Sequence, residues 1–120
     1  MAGFELSREL LAAVNANKLE AVRGIIQKHP SVDLNQFNCI HWAVTFGRKE
    51  MTKLLINSGA DVNARGMAGK DTPLMIALSH RHVDIVQLLL TAEADVKYVH
   101  RLNFAFNLII YLHVLFYFIL

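Results

Sequence analysis

Six histidines, a lone cysteine and a Gly66-x-x-Gly69-Lys70 string are the residues of this 120-residue chain best equipped for chemistry. Imidazole binds metals and moves protons near neutral pH, a thiolate attacks electrophiles, and a glycine-rich loop before lysine can cradle phosphate. Each role needs its own spacing. His80 and His82 stand two apart, His41 lies far upstream, and no Cys or Asp completes a set at ligand spacing, so no metal site is expected. Two residues separate Gly66 from Gly69, fewer than a phosphate-binding loop requires. Cys39 has no basic neighbour in sequence and opens an apolar helical pattern, a setting that does not favour the thiolate. No Ser-His-Asp or paired-carboxylate arrangement stands out. The chain reads as a non-enzyme with no catalytic residue and no cofactor.

The elements around these residues follow one pattern written twice. Asn38-Cys-Ile-His-Trp-Ala-Val44 through Gly59-Ala-Asp-Val-Asn63 is matched by Thr72-Pro-Leu-Met-Ile-Ala-Leu78 through Glu93-Ala-Asp-Val-Lys97. The offset is 34 residues from Asn38 to Thr72, from Ala43 to Ala77, from Leu54-Leu55 to Leu88-Leu89 and from Asp61 to Asp95. A fixed period of this length marks a stacked-repeat protein, whose units are too small to bury an apolar face alone.

In the later copy, Thr72 can cap an orphan amide with its hydroxyl, while Pro73 occupies the first helical position, where no donor is needed. Leu74, Ala77 and Leu78 recur at helical spacing, and the small alanine lets a second helix lie close. Ser79 to His82 reads as a short break. Val83, Val86, Leu89 and Leu90 are the expected buried stripe of a second helix, and Ala94-Asp95-Val96 leads into a turn. Residues 64–71 form a longer loop suited to a hairpin finger.

With these motifs the chain resembles the ankyrin repeat family, whose unit reads roughly Thr-Pro-Leu-His-x-Ala-Ala, then Gly-His, Leu-Leu and Gly-Ala-Asp-Val-Asn. The resemblance covers about residues 7–97. The second unit keeps His41, Ala43, Gly47, Leu54-Leu55 and Gly59 to Asn63, with Asn38-Cys39 in place of Thr-Pro. The third keeps Thr72-Pro73-Leu74, His82 and Leu88-Leu89, but carries Arg81 and Glu93 where the family prefers glycine. A positive φ at those two sites would cost about 1 kcal/mol each and leave the third unit the softest. In the family the residue at His41 is a structural hydrogen-bonding group. The implied fold is all-α, an ankyrin solenoid of about three helix-turn-helix repeats with short hairpin loops.

Residues 1–35 read as a degenerate capping repeat. Leu10, Leu11, Ala13 and Val14 form its first helix and Val22, Ile25 and Ile26 its second, and His29-Pro30 ends the latter. Asn17 falls where Gly47 falls, and asparagine tolerates the left-handed conformation. Glu5, Arg8, Glu9, Lys18, Glu20, Arg23 and Lys28 supply the polar outer face of a cap. Residues 36–66 and 67–99 are the two full repeats. The net charge is +2 with Lys and Arg scattered, so no nucleic-acid footprint is expected. One cysteine fits a reducing compartment, and Met1 to Val14 lacks the apolar core of a signal peptide, so the repeats are expected to face the cytosol.

The expected function is non-catalytic binding of a protein or extended peptide by a monomer. In an ankyrin stack the residue after the His position looks onto the concave face, which implies Trp42 and Ile76 here. Phe46, Arg65, Met67, Lys70 and His80 are further partner-binding candidates near finger tips and helix ends. The alternative for Trp42 is packing onto Ile76 within the stack. Ile40-His-Trp-Ala-Val44 and the long finger also resemble the cytosolic ankyrin region of Asp-His-His-Cys palmitoyltransferases of the huntingtin-interacting type. That resemblance implies a truncated isoform or fragment contributing substrate recruitment. The family's recruiting Asn and Trp positions match Gly47 and Ile76, both of which depart from the pattern, and the Cys-rich catalytic domain is absent.

Residues 100–120 change character. Leu102 to Leu120 is nineteen residues without a charge, and mean hydropathy of the whole chain reaches +0.34. As a helix it would extend about 28 Å, near the roughly 30 Å of a hydrocarbon core. Lys97 and Arg101 just before it favour a cytosolic start. The expected structure is an apolar C-terminal helix acting as a tail anchor in a secretory-pathway membrane. Two alternatives are a cap over the open face of the third repeat and out-of-frame translation.

Overall fold

A computed structural model describes residues 2–66, 71–95, 112 and 116. Among these residues six helices are defined: α1 (Ala2–Asn15), α2 (Leu19–Lys28), α3 (Cys39–Thr45), α4 (Lys49–Asn57), α5 (Pro73–Ser79) and α6 (Val83–Thr91). Among the described residues there is no strand. Each odd-numbered helix packs on the next even one as an antiparallel pair. The odd helices also stack on one another, α1 on α3 on α5, and the even helices likewise. The described residues thus form a two-layer, all-α stack of three helix pairs.

The inner layer is close because alanine stands at each crossing: Ala13, Ala43 and Ala77 are buried. Around them Leu10, Val14, Ile40, Val44, Leu74 and Leu78 meet Val22, Met51, Leu55, Ile85, Val86 and Leu89 in one continuous core. Leu11, Ile25 and Ile26 pack against its edge. One expected stripe residue is misplaced. Val83, the first residue of α6, is exposed, and Ile85 is buried in its stead.

Pro73 opens α5, and the Thr72 hydroxyl accepts from the Met75 amide at 3.3 Å, the cap expected from Thr-Pro. Asn38, at the corresponding place before α3, takes the left-handed conformation at φ 56° and makes no side-chain cap. Asn17 (φ 55°), Gly47 (φ 68°) and Arg81 (φ 62°) all adopt the left-handed turn between paired helices, and Glu93 (φ 64°) does so after α6.

Side chains tie each unit to the previous one. Arg48 Nη1 donates to the carbonyls of Val14 and Asn15 at 2.8 and 2.7 Å, placing a cation on the carbonyl end of α1. His82, one repeat later, donates from Nε2 to the Thr45 carbonyl at 3.4 Å, with its ring over Gly47. A Cβ on Gly47 would lie 2.8 Å from that ring. At the opposite ends of the helices the loops form a relay. Asp33 accepts from the Asn35 amide, the Asn35 side chain from the Asp61 amide, Asp61 from the Asn63 amide and the Asn63 side chain from the Asp95 amide, all at 2.7–3.0 Å.

The exposed acids and bases of α1 and α2 lie on the outer surface of the first pair. Residues 102–120 lie outside the described residues apart from Leu112 and Phe116, and with them the apolar tail helix. Among the described residues no helix is long and apolar enough to cross a membrane.

Glu93 holds a conformation that glycine adopts without steric cost. Glu93→Gly is therefore expected to stabilise the stack by about 0.5–1 kcal/mol, read as a higher urea midpoint at unchanged slope. A lower midpoint would show that the side chain contributes more than its backbone strain removes.

Candidate functional site: an aromatic cleft on the inner-helix face

Trp42 and Phe46 lie one turn apart on α3 and at its end. Neither belongs to the core: Trp42 is 38% and Phe46 52% exposed. Their rings stack at 6.0 Å, and the Arg48 guanidinium lies 4.9 Å from the Phe46 centroid, so the staple to α1 also braces the aromatic pair.

Beside Trp42 is a cleft of about 170 Å³, bounded by Asn38, Thr45, Gly66, Asp71 and Ile76, with His41 at its base. Its size suits one side chain rather than a drug-sized molecule, which needs several hundred Å³. A smaller recess of about 80 Å³ lies on the other side of Ile76, between Met75, Ser79 and His80, and shares Asp71. Ile76 is half-buried against the core and forms the ridge between the two.

His41 positions the wall of this cleft. Its Nε2–H donates to the Ala64 carbonyl at 2.8 Å, and the Gly66 amide donates to the Asp71 carbonyl at 2.7 Å, closing the base of the finger against α3. Burial pushes the ring's pKa below 6.5, against the opposing pull of the Ala64 and Asp71 carbonyls and the Asp71 and Asp61 charges. Cys39 is 1% exposed, and burial raises its thiol to about 11, helped by Asp33 and opposed by its own amide. Burial of this kind disfavours the thiolate, which is the nucleophilic form.

Of the sequence-derived candidates, the structure brings Trp42, Phe46, Ile76 and His80 onto one face. His80 is exposed, donates from Nδ1 to the Ile76 carbonyl and stacks on His82 at 5.7 Å. Arg65 is exposed at the finger base, engaged within the structure. Met67 and Lys70 lie outside the described residues. Arg48, Asn38, Thr45 and Asp71 join the face without having been anticipated. Arg48 had a signal, since it stands where the family's Gly-His pattern places histidine. Among the described residues no three His, Cys, Asp or Glu side chains converge as a metal site.

The family model for ankyrin repeats in three copies matches residues 10–99. The chain belongs to the ankyrin-repeat family. Among relatives, an ARF GTPase-activating protein Git of Drosophila melanogaster is 36% identical over 99 residues, covering 77% of this chain and 13% of the relative. E3 ubiquitin-protein ligase XBAT33 of Arabidopsis thaliana is 40% identical over 57 residues, 48% of this chain and 11% of the relative. Protein phosphatase 1 regulatory subunit 27 of Homo sapiens is 45% identical over 56 residues, 47% of this chain and 36% of the relative. The chain spans about a third or less of these proteins, so the likeness extends to their ankyrin portions. Ankyrin repeats serve as protein-interaction modules and are typically non-catalytic.

Because the folded pKa of His41 is depressed, its neutral form favours the native state. The unfolded chain binds the extra proton, so this contribution is present above pH 6.5 and is lost as pH falls through 6.5 towards the folded value. The melting temperature should therefore drop on acidification from about 7.5 to about 5, and His41→Gln should flatten that dependence. An identical slope in the variant would assign the titration to another group.

Proposed function

We propose that this chain is a non-catalytic, monomeric interaction module that takes an extended protein segment across its concave face, with Trp42 and Phe46 as the anchor. The observation that carries the reading is the placement of the aromatic pair. It lies outside the core, braced by Arg48, beside a cleft large enough for one partner side chain. Large aromatics held in this way dominate binding energy, because little side-chain freedom remains to be lost. The name of the human relative, a phosphatase regulatory subunit, is in keeping with a binding role.

The palmitoyltransferase reading rests on Ile40 to Val44 and the length of the finger. Recruitment in that family's manner would use the positions of Gly47 and Ile76. Gly47 offers no side chain and has His82 packed over it, while Ile76 presents an aliphatic ridge. Trp42, on the preceding repeat, is the better anchor.

Trp42→Ala is expected to weaken a partner selected on the intact chain by about 2 kcal/mol or more, while the melting temperature shifts by little. An equal loss of stability would make Trp42 a packing residue and remove the anchor.

We also propose that the uncharged stretch 102–120 tethers the cytosolic repeats to a secretory-pathway membrane, on the strength of its length and of Lys97 and Arg101 before it. Carbonate-washed membranes should retain the full chain and release one ending at His100. Leu112→Arg with Val114→Arg should also release it, since each charge near the bilayer centre costs about 2.5–3.5 kcal/mol. Recovery of the full chain as a soluble monomer would instead favour a tail folded onto the repeats.

A further inference from the structure

The two recesses flanking Ile76 have one electrostatic property in common. Asp71 lines both, and it is the sole formally charged side chain lining either one among the described residues. It is exposed, and no salt bridge engages it among the described residues. Its backbone carbonyl is held by the Gly66 amide, which sets where the residue leaves the chain beside the cleft. The Trp42 ring lines the same cleft, and the π face of an indole attracts cations.

We infer that the side chain a partner places beside Trp42 is basic: an arginine or lysine whose alkyl stem lies along Trp42 and Ile76 and whose charge meets Asp71. This inference rests on the proposed concave-face reading and specifies the chemistry of its occupant. An acidic side chain in the same cleft would face the like charge of Asp71. A purely apolar one would strip water from a carboxylate without replacing its hydrogen bonds. Arginine and lysine satisfy both demands of the site, since each couples an apolar stem to a cationic end. The net positive charge of the chain makes this preference local, set by one carboxylate rather than by overall electrostatics.

The test uses a display library of random linear peptides selected on the full chain, with binding read from the fluorescence anisotropy of a dye-labelled peptide. The expected result is a shared basic position among the selected peptides. Changing that residue to leucine, or Asp71→Asn in the protein, should each weaken binding about fivefold, as a partly exposed charge pair does. The two changes together should cost little more than either alone. Peptides without a shared basic position, or with one that is indifferent to Asp71→Asn, overturn the inference. If those peptides still lose affinity with Trp42→Ala, the concave-face reading stands without it. Peptides indifferent to Trp42→Ala, or a library yielding no binder, overturn both.

Discussion

The structure depends on contact between successive helix pairs. A single pair of seven- and nine-residue helices, such as α3 with α4, has an apolar face it cannot bury by itself. Ala13, Ala43 and Ala77 let the inner helices approach, and the larger side chains around them close a core that runs through all three units. Because each interface involves nearest neighbours, the polar ties between units matter out of proportion to their number. Arg48 holds the second unit to α1, His82 the third to the second, and the Asp-x-Asn relay joins all three loop edges.

These ties connect stability to the binding face. Arg48 is at once the staple to α1 and the brace behind Phe46, and His41 is both a buried core residue and the anchor of the finger that walls the cleft. The exposed aromatic pair is therefore displayed from a fixed platform, which lowers the entropy lost on binding. The uneven distribution of backbone strain adds a second feature. Gly47 takes its left-handed turn without penalty, while Arg81 and Glu93 do so with side chains, which concentrates strain in the third unit.

Much of the fold was legible in the sequence because its determinants are local or periodic. The 34-residue offset identifies the repeat, Thr72-Pro73 announces a capped helix, and Asn17, Arg81 and Glu93 stand at positions that proved to have positive φ. Trp42 and Ile76, which the register also singled out, line one cleft in the structure. Val83 was not legible: at the first position of a short helix, periodicity alone does not decide whether a residue is covered. Asn38 was also opaque, because the sequence shows a competent cap residue but not the left-handed backbone that turns its side chain from that task.

By itself the sequence determined the architecture, the absence of nucleophile spacing and the candidate aromatic. Those follow from residue type and interval, which survive without coordinates. Tertiary structure alone decided which polar groups work together. Asp71 reads in sequence as the residue before a helix cap, yet the finger folds back through the Gly66 amide and brings it into the same cleft as Trp42, on the preceding repeat. Arg48 reads as a surface cation, yet stacking brings the open carbonyl end of α1 within its reach. In both cases the partner lies in another segment of the chain, and only the closing of the stack brings the two together.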